Sequence, residues 1–135
     1  MQLIPGFNQI LTREGWVEIQ DYYEMLKRSP VQSLIIYKGH CLYACPKSFS
    51  STYFHGTLIE LLTDTSRIIL KPSTKTQTKK VGQFNTGERI EKFFGYQTIE
   101  KREEVLWQGN QLNLFYGEPV LLPLKFENDY ILLPI

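Results

Sequence analysis

A mainly β, compact fold of short strands with one short helix near residues 19–28 is what this sequence predicts. Turn-forming residues punctuate the chain every ten to fifteen positions: Pro5-Gly6, Glu14-Gly15, Lys38-Gly39, His55-Gly56, Asp64-Thr65-Ser66, Gly82, Gly87, Gly95, Gly109-Asn110 and Gly117-Glu118-Pro119. Between them lie short runs rich in β-branched and aromatic residues, which suit a pleated, half-buried surface. Only one window keeps a helical period. Regular short strands separated by turns indicate an all-β sandwich or barrel-like architecture.

The helix comes first. Ile19, Tyr22, Tyr23, Met25 and Leu26 recur at three- and four-residue spacing, with Gln20 or Asp21 placed to open the helix and Ser29-Pro30 to stop it near Arg28. Its apolar stripe is expected to cap one end of a β-core. Strands are predicted over Gln32 to Tyr37, Cys41 to Ala44, Thr57 to Thr63, Arg67 to Leu70, Ile99 to Trp107, Gln111 to Phe115 and Asp129 to Leu133. The segment from Lys71 to Lys80 carries four lysines (Lys71, Lys75, Lys79, Lys80) among hydroxyl residues, with Pro72 as its one apolar member. It reads as an exposed loop, either a solvated, mobile connection or a phosphate-contacting one. No internal repeat and no long linker divides the chain, so one domain spanning residues 1–135 is expected.

Composition narrows the function classes. Fifteen Lys and Arg against fourteen Asp and Glu give a net charge of +1, which removes the simplest case for a general polyanion binder. With 42% hydrophobic and 13% aromatic residues the chain is no disordered tail. Two cysteines and two histidines fall short of a spaced four-ligand zinc site, and neither a metal nor a cofactor is expected. Cys41 and Cys45 lie too far apart along a strand to bond and read as two buried structural thiols. His40 and Cys41 point to opposite faces of a strand, a poor arrangement for proton transfer. Met1 to Gly6 lacks a basic leader, and no run reaches the roughly 18 apolar residues of a membrane span. A cytoplasmic location without membrane attachment is the expectation.

Several segments, read in order, resemble a Hint domain, the fold shared by inteins and hedgehog autoprocessing domains. Ile10-Leu11-Thr12-Arg13-Glu14-Gly15-Trp16-Val17-Glu18-Ile19 is similar to the family's early strand-turn-strand, and a short helix follows. Tyr37 to Ala44 resembles a hairpin, and Phe54-His55-Gly56-Thr57-Leu58-Ile59-Glu60-Leu61 the aromatic-x-Gly-x-Leu strand. Arg67 to Pro72 leads into the position of the family's Thr-Pro-Asp-His element. Phe84 to Ile90 and Glu104 to Leu114 resemble its Gly-Asp turn and a later strand pair, and Tyr130 to Ile135 its last strand. The resemblance covers nearly the whole chain and implies a Hint-like all-β fold with its two termini side by side near Thr74.

It also implies where chemistry would sit. In the family a Cys or Ser at the first position attacks its own preceding carbonyl, a Thr and a His polarise that amide, and a closing His-Asn releases the downstream segment. The corresponding positions here are Leu3, Lys71 and Thr74, and Pro134-Ile135. The resemblance thus implies a splicing-inactive domain, not an enzyme, whose vestigial site is Leu3, Thr74, Pro134 and Ile135. Such a module is expected to bind a protein partner or a small ligand, in the manner of a phage or mobile-element accessory protein that blocks a host factor. One alternative is DNA or RNA binding through Lys71, Lys75, Lys79 and Lys80, extended by Lys92, Lys101 and Arg102. The other is a small hydrolytic enzyme using Glu103/Glu104 or Glu127 with Asp129, although Glu91-Lys92 and Glu100-Lys101 are one residue too tight for a Glu-x-Lys nuclease pattern. Adjacent aromatics at Phe93-Phe94 leave the oligomeric state open.

Overall fold

The computed structural model describes residues 2–92 and 95–135. Twelve strands and one α-helix are found among them: β1 (Ile4–Pro5), β2 (Gln9–Thr12), β3 (Gly15–Glu18), α1 (Ile19–Leu26), β4 (Ser33–Tyr37), β5 (His40–Ala44), β6 (Ser48–Leu62), β7 (Arg67–Leu70), β8 (Arg89–Lys92), β9 (Gly95–Thr98), β10 (Lys101–Phe115), β11 (Leu121–Phe126) and β12 (Asp129–Pro134). One 3₁₀ turn covers Val81–Gln83. The mainly β prediction stands. One four-stranded sheet has the order β1-β10-β6-β7, and the second runs β3-β2-β4-β11-β12-β8-β9 with β5 beside β4. The expected pair Phe93-Phe94 lies outside the described residues.

Two strands dominate the layout. β6 and β10 pair antiparallel over their full lengths, from Ser48↔Phe115 to Leu62↔Lys101. β7 covers only the Ile59 to Leu62 end of β6, and β1 only Gln111 and Leu112 of β10. The ribbon is therefore buried at two staggered places, Leu58 to Leu61 on one strand and Gln111 to Leu114 on the other. Around them pack Ile10, Phe84, Ile90, Leu122, Phe126 and Ile131, all fully buried. Each such side chain contributes about 1.5–3 kcal/mol by leaving water.

Both glycine pairs read as turns inside this region, His55-Gly56 and Gly109-Asn110, are in fact mid-strand. Gly56 lies opposite Trp107, and Gly109 opposite Phe54. The missing side chains make room for the two rings to lie along the sheet, stacked at 6.0 Å with 29° between planes, and Phe7 meets the indole edge-on at 5.6 Å. The glycine signal here comes from close ring approach, the second meaning a strand glycine can have. By contrast Lys38-Gly39 is a true two-residue hairpin turn, with φ of 49° and 78° closing β4 onto β5.

The helix begins at Ile19 and ends at Leu26, two residues short of the expected Arg28, and its cap is Glu18 rather than Gln20 or Asp21. The Glu18 side chain caps no backbone N–H and accepts from the Gln20 side-chain amide (3.1 Å); Ile19 and Gln20 donate their N–H groups to the carbonyls of Asn8 (2.7 Å) and Gly6 (3.0 Å). These backbone acceptors satisfy donors that the helix itself cannot. Ile19 and Tyr22 face the core, as the stripe predicts. The Tyr22 hydroxyl donates to the Val31 carbonyl at 2.5 Å, and Ser33 and Tyr116 share a short hydroxyl–hydroxyl bond beside it. Burial pushes Tyr22 up to about 12 and Tyr116 higher still, so both hydroxyls stay neutral.

Gly109→Ala places a methyl into the Trp107 indole, whereas at Gly56 the added carbon would stand 2.9 Å from the rim of Phe54. Overpacking of this kind costs about 1–3 kcal/mol. Urea unfolding is expected to show a lowered midpoint for both alanine variants, larger for Gly109→Ala.

Candidate functional site

The first and last described residues meet at one turn of the chain. The Gln2 side-chain amide donates to the Lys75 carbonyl at 2.6 Å, while the Lys75 N–H donates to Gln2 Oε1 at 3.2 Å. At the other end, Ile135 donates its N–H to the Val120 carbonyl at 2.9 Å. Between these anchors opens a cleft of about 250 Å³ lined by Gln2, Ser73, Lys75, Pro134 and Ile135. Leu3 follows Gln2 and is half-buried, and Thr74 sits between two lining residues. The structure thus gathers Leu3, Thr74, Pro134 and Ile135 into one neighbourhood.

The turn beneath the cleft is tightly built. Thr74 N–H donates to the Lys71 carbonyl (3.0 Å), Val81 N–H to the Thr74 carbonyl (2.8 Å) and Gly82 N–H to the Pro72 carbonyl (2.9 Å). Thr76 Oγ1 donates to the Lys79 carbonyl at 2.7 Å. Thr74 and Thr76 are buried, which corrects the expectation of a solvated, mobile loop throughout residues 71–80. Of the hydroxyls that looked like solvated spacers, that of Thr76 is bonded within the turn, donating to Lys79 and accepting from the N–H groups of Thr78 and Lys79. Thr74 Oγ1 is buried with no hydrogen-bond partner among the described residues. An unsatisfied buried hydroxyl costs about 1–3 kcal/mol.

The four lysines do not form one patch. Lys71 turns inward, donating to Gln111 Oε1 at 2.5 Å with its ammonium 4.7 Å from the Phe54 ring, and Gln111 in turn donates to Thr52 Oγ1 at 3.1 Å. Burial lowers the Lys71 pKa from its ordinary 10.5. Lys79 pairs with Glu88 and lies over Phe84. Lys75 and Lys80 remain exposed and face each other across a single β-bridge. Of the outlying cations, Lys92 is buried against Asp129, Lys101 pairs with Glu103, and Arg102 donates to the Gly82 carbonyl at 2.9 Å.

The remaining polar candidates are scattered. Asp129 and Glu103 are taken up by those ion pairs, and no group of three or more His, Cys, Asp or Glu is placed to hold a metal among the described residues. Cys41 is exposed and Cys45 half-buried, so the expectation of two buried thiols fails. Among the described residues β5 pairs with β4 alone, and its first three residues, His40, Cys41 and Leu42, are exposed. Sequence reading missed Gln2 and Gln111, whose partners lie 73 and 40 residues away. An isolated glutamine carries no signal of such a distant bond.

No protein-family profile and no curated protein sequence matches the chain. Solved structures do. An intein-like domain from Clostridium thermocellum superposes with a TM-score of 0.73 at 12% identity, covering 100% of this chain and 99% of that one. The TvoVMA intein gives a TM-score of 0.74 at 11% identity, covering 98% and 95% of the two chains. The gp41-1 intein gives 0.63 at 16% identity, covering 97% and 96%. The protein has the Hint fold of inteins and intein-like domains, over its whole described length.

Two outcomes test the geometry. Gln2→Ala removes both amide bonds to Lys75, at about 0.5–1.5 kcal/mol per bond. Hydrogen exchange at the Lys75 amide is expected to accelerate more than exchange in the core strands. For Lys71, a folded pKa below 10.5 means the unfolded chain binds more protons as pH rises toward that value. The stability of the wild type relative to Lys71→Met is therefore expected to increase across this alkaline window, and denaturant titrations at several pH values measure it.

Proposed function

We propose that the protein is an intein-fold domain that does not splice and that acts as a binding module through the cleft where its chain ends meet. The observation that carries this reading is the composition of the cleft. Its walls are two amide or alkyl-ammonium side chains (Gln2, Lys75), one hydroxyl (Ser73) and two apolar residues (Pro134, Ile135). A concave site that sets polar groups beside two apolar side chains suits recognition. Splicing would need a thiol or hydroxyl at the leading position and an imidazole beside the amide it attacks. Leu3 and Thr74 offer neither arrangement, and the histidines and cysteines belong to β5, β6 and the residue just after β5.

A protein partner or a small ligand fits this reading better than nucleic acid. With Lys71 turned onto Gln111 and Lys79 paired to Glu88, only Lys75 and Lys80 of the lysine segment are left to meet phosphates. A role as a phage or mobile-element accessory protein blocking a host factor is one form of it. Absence of self-processing is the first test. The 135-residue chain incubated with dithiothreitol and with hydroxylamine is expected to keep its intact mass of 15.8 kDa. A cleaved or branched species appearing in either reagent would overturn the proposal.

A further inference from the structure

Among the described residues the outermost strands of both sheets are short. β1, β3, β5, β7 and β9 are each two to five residues long, and short edges resist pairing with foreign strands. The two long strands are different, because each has an outer edge that its short neighbour leaves open. On β10 the open stretch starts with Lys101, Arg102, Glu103 and Glu104, and Arg102 reaches over to the Gly82 carbonyl. Charges of that kind guard an edge. On β6 the open stretch is Ser48-Phe-Ser-Ser-Thr-Tyr-Phe-His-Gly-Thr57, which contains no Lys, Arg, Asp, Glu or Pro. None of its ten residues is buried, and Tyr53 is 63% exposed. Among the described residues no strand pairs with this outer edge; β7 begins its pairing at Ile59.

We infer that residues 48–56 of β6 form a homodimer interface, pairing antiparallel with the same segment of a second copy to join the two four-stranded sheets into one. The sequence is complementary to itself in this arrangement. A two-fold axis normal to the sheet pairs residues that lie on the same face, so the register positions must sum to an even number. With the axis at Thr52, Tyr53 faces Ser51, Phe54 faces Ser50, Phe49 faces His55, and Thr52 faces its own copy. Each bulky ring but the Phe49–His55 pair meets a small hydroxyl residue. The Thr52–Thr52 cross-strand pair is favourable, and an uncharged edge brings no like charges together across the axis. A second copy is the partner that matches by construction; a foreign strand would have to supply the same pattern.

Sedimentation velocity on the full chain reads the outcome. The wild type is expected to sediment as a dimer, at twice 15.8 kDa. Thr52→Lys and Thr52→Glu each place like charges across the axis, and each alone is expected to be monomeric. Mixed in equal amounts they set opposite charges face to face, and the dimer is expected to return. Ser50→Lys, facing Phe54 away from the axis, serves as a second disrupting variant should the Thr52 changes fail to fold by circular dichroism. A wild type that stays monomeric up to its solubility limit overturns the inference and leaves the edge to a foreign strand. A dimer unaffected by these variants, or one that the charge-swapped mixture does not restore, overturns the register.

Discussion

Strands β6 and β10 pair residue for residue over fifteen positions, and a ribbon of that length exceeds what a small body can enclose. Straight, it would span about 50 Å at roughly 3.3 Å per residue. A compact body of this size is only about 37 Å across, from its expected radius of gyration. The ribbon must therefore bend or overhang, and it is buried in two staggered places. Leu58 to Leu61 gain cover where β7 joins, and Gln111 to Leu114 gain it where β1 joins. Everything else is placed by that division. The second sheet packs against the buried stretches, α1 closes the side near β3, and the chain ends are drawn to the same side as residues 73–75.

Much of this was legible. β4, β5, β7 and β12 announce themselves by β-branched and aromatic runs, and α1 by its apolar stripe. The first nine residues of β6 do not, because Ser48 to Gly56 looks polar and turn-prone. Its strand character comes from a partner more than fifty residues away, and non-local pairing leaves no local mark. The same holds for β10, where Gly109 interrupts the pattern. Its absent side chain accommodates a ring rather than a reversal of the chain. The candidate site was legible only as far as the family resemblance carried. That reading put the termini near Thr74, but nothing in the sequence told that Lys71 would turn inward to Gln111 or that Lys79 would find Glu88.

Charge balance takes on a different meaning once these partners are known. A net charge of +1 conceals a local lysine excess in the sequence, and the fold then dissipates most of that excess. Lys79 and Lys92 are neutralised by acids from other segments, while Lys71 trades water for an amide oxygen and an aromatic face. Such contacts come with a desolvation cost, which the lowered Lys71 pKa expresses. The lysines therefore fasten the 71–80 turn to β10 and to the segment ahead of β8, holding steady the floor on which Gln2 rests.

The clamp between Gln2 and Lys75, with Ile135 lining the same cleft, means that the chain enters and leaves the fold at nearly one point. A body with that property can be grafted into a surface loop of another protein while adding little to the separation of the loop's two ends. Closure entropy grows only slowly with loop length, so the host's folding would be disturbed chiefly by bulk rather than by distance. Tension applied between the two ends would act on the Gln2–Lys75 amide pair and the β1–β10 pairing first, before it reached the long ribbon. The cleft would open under load while the core remained intact.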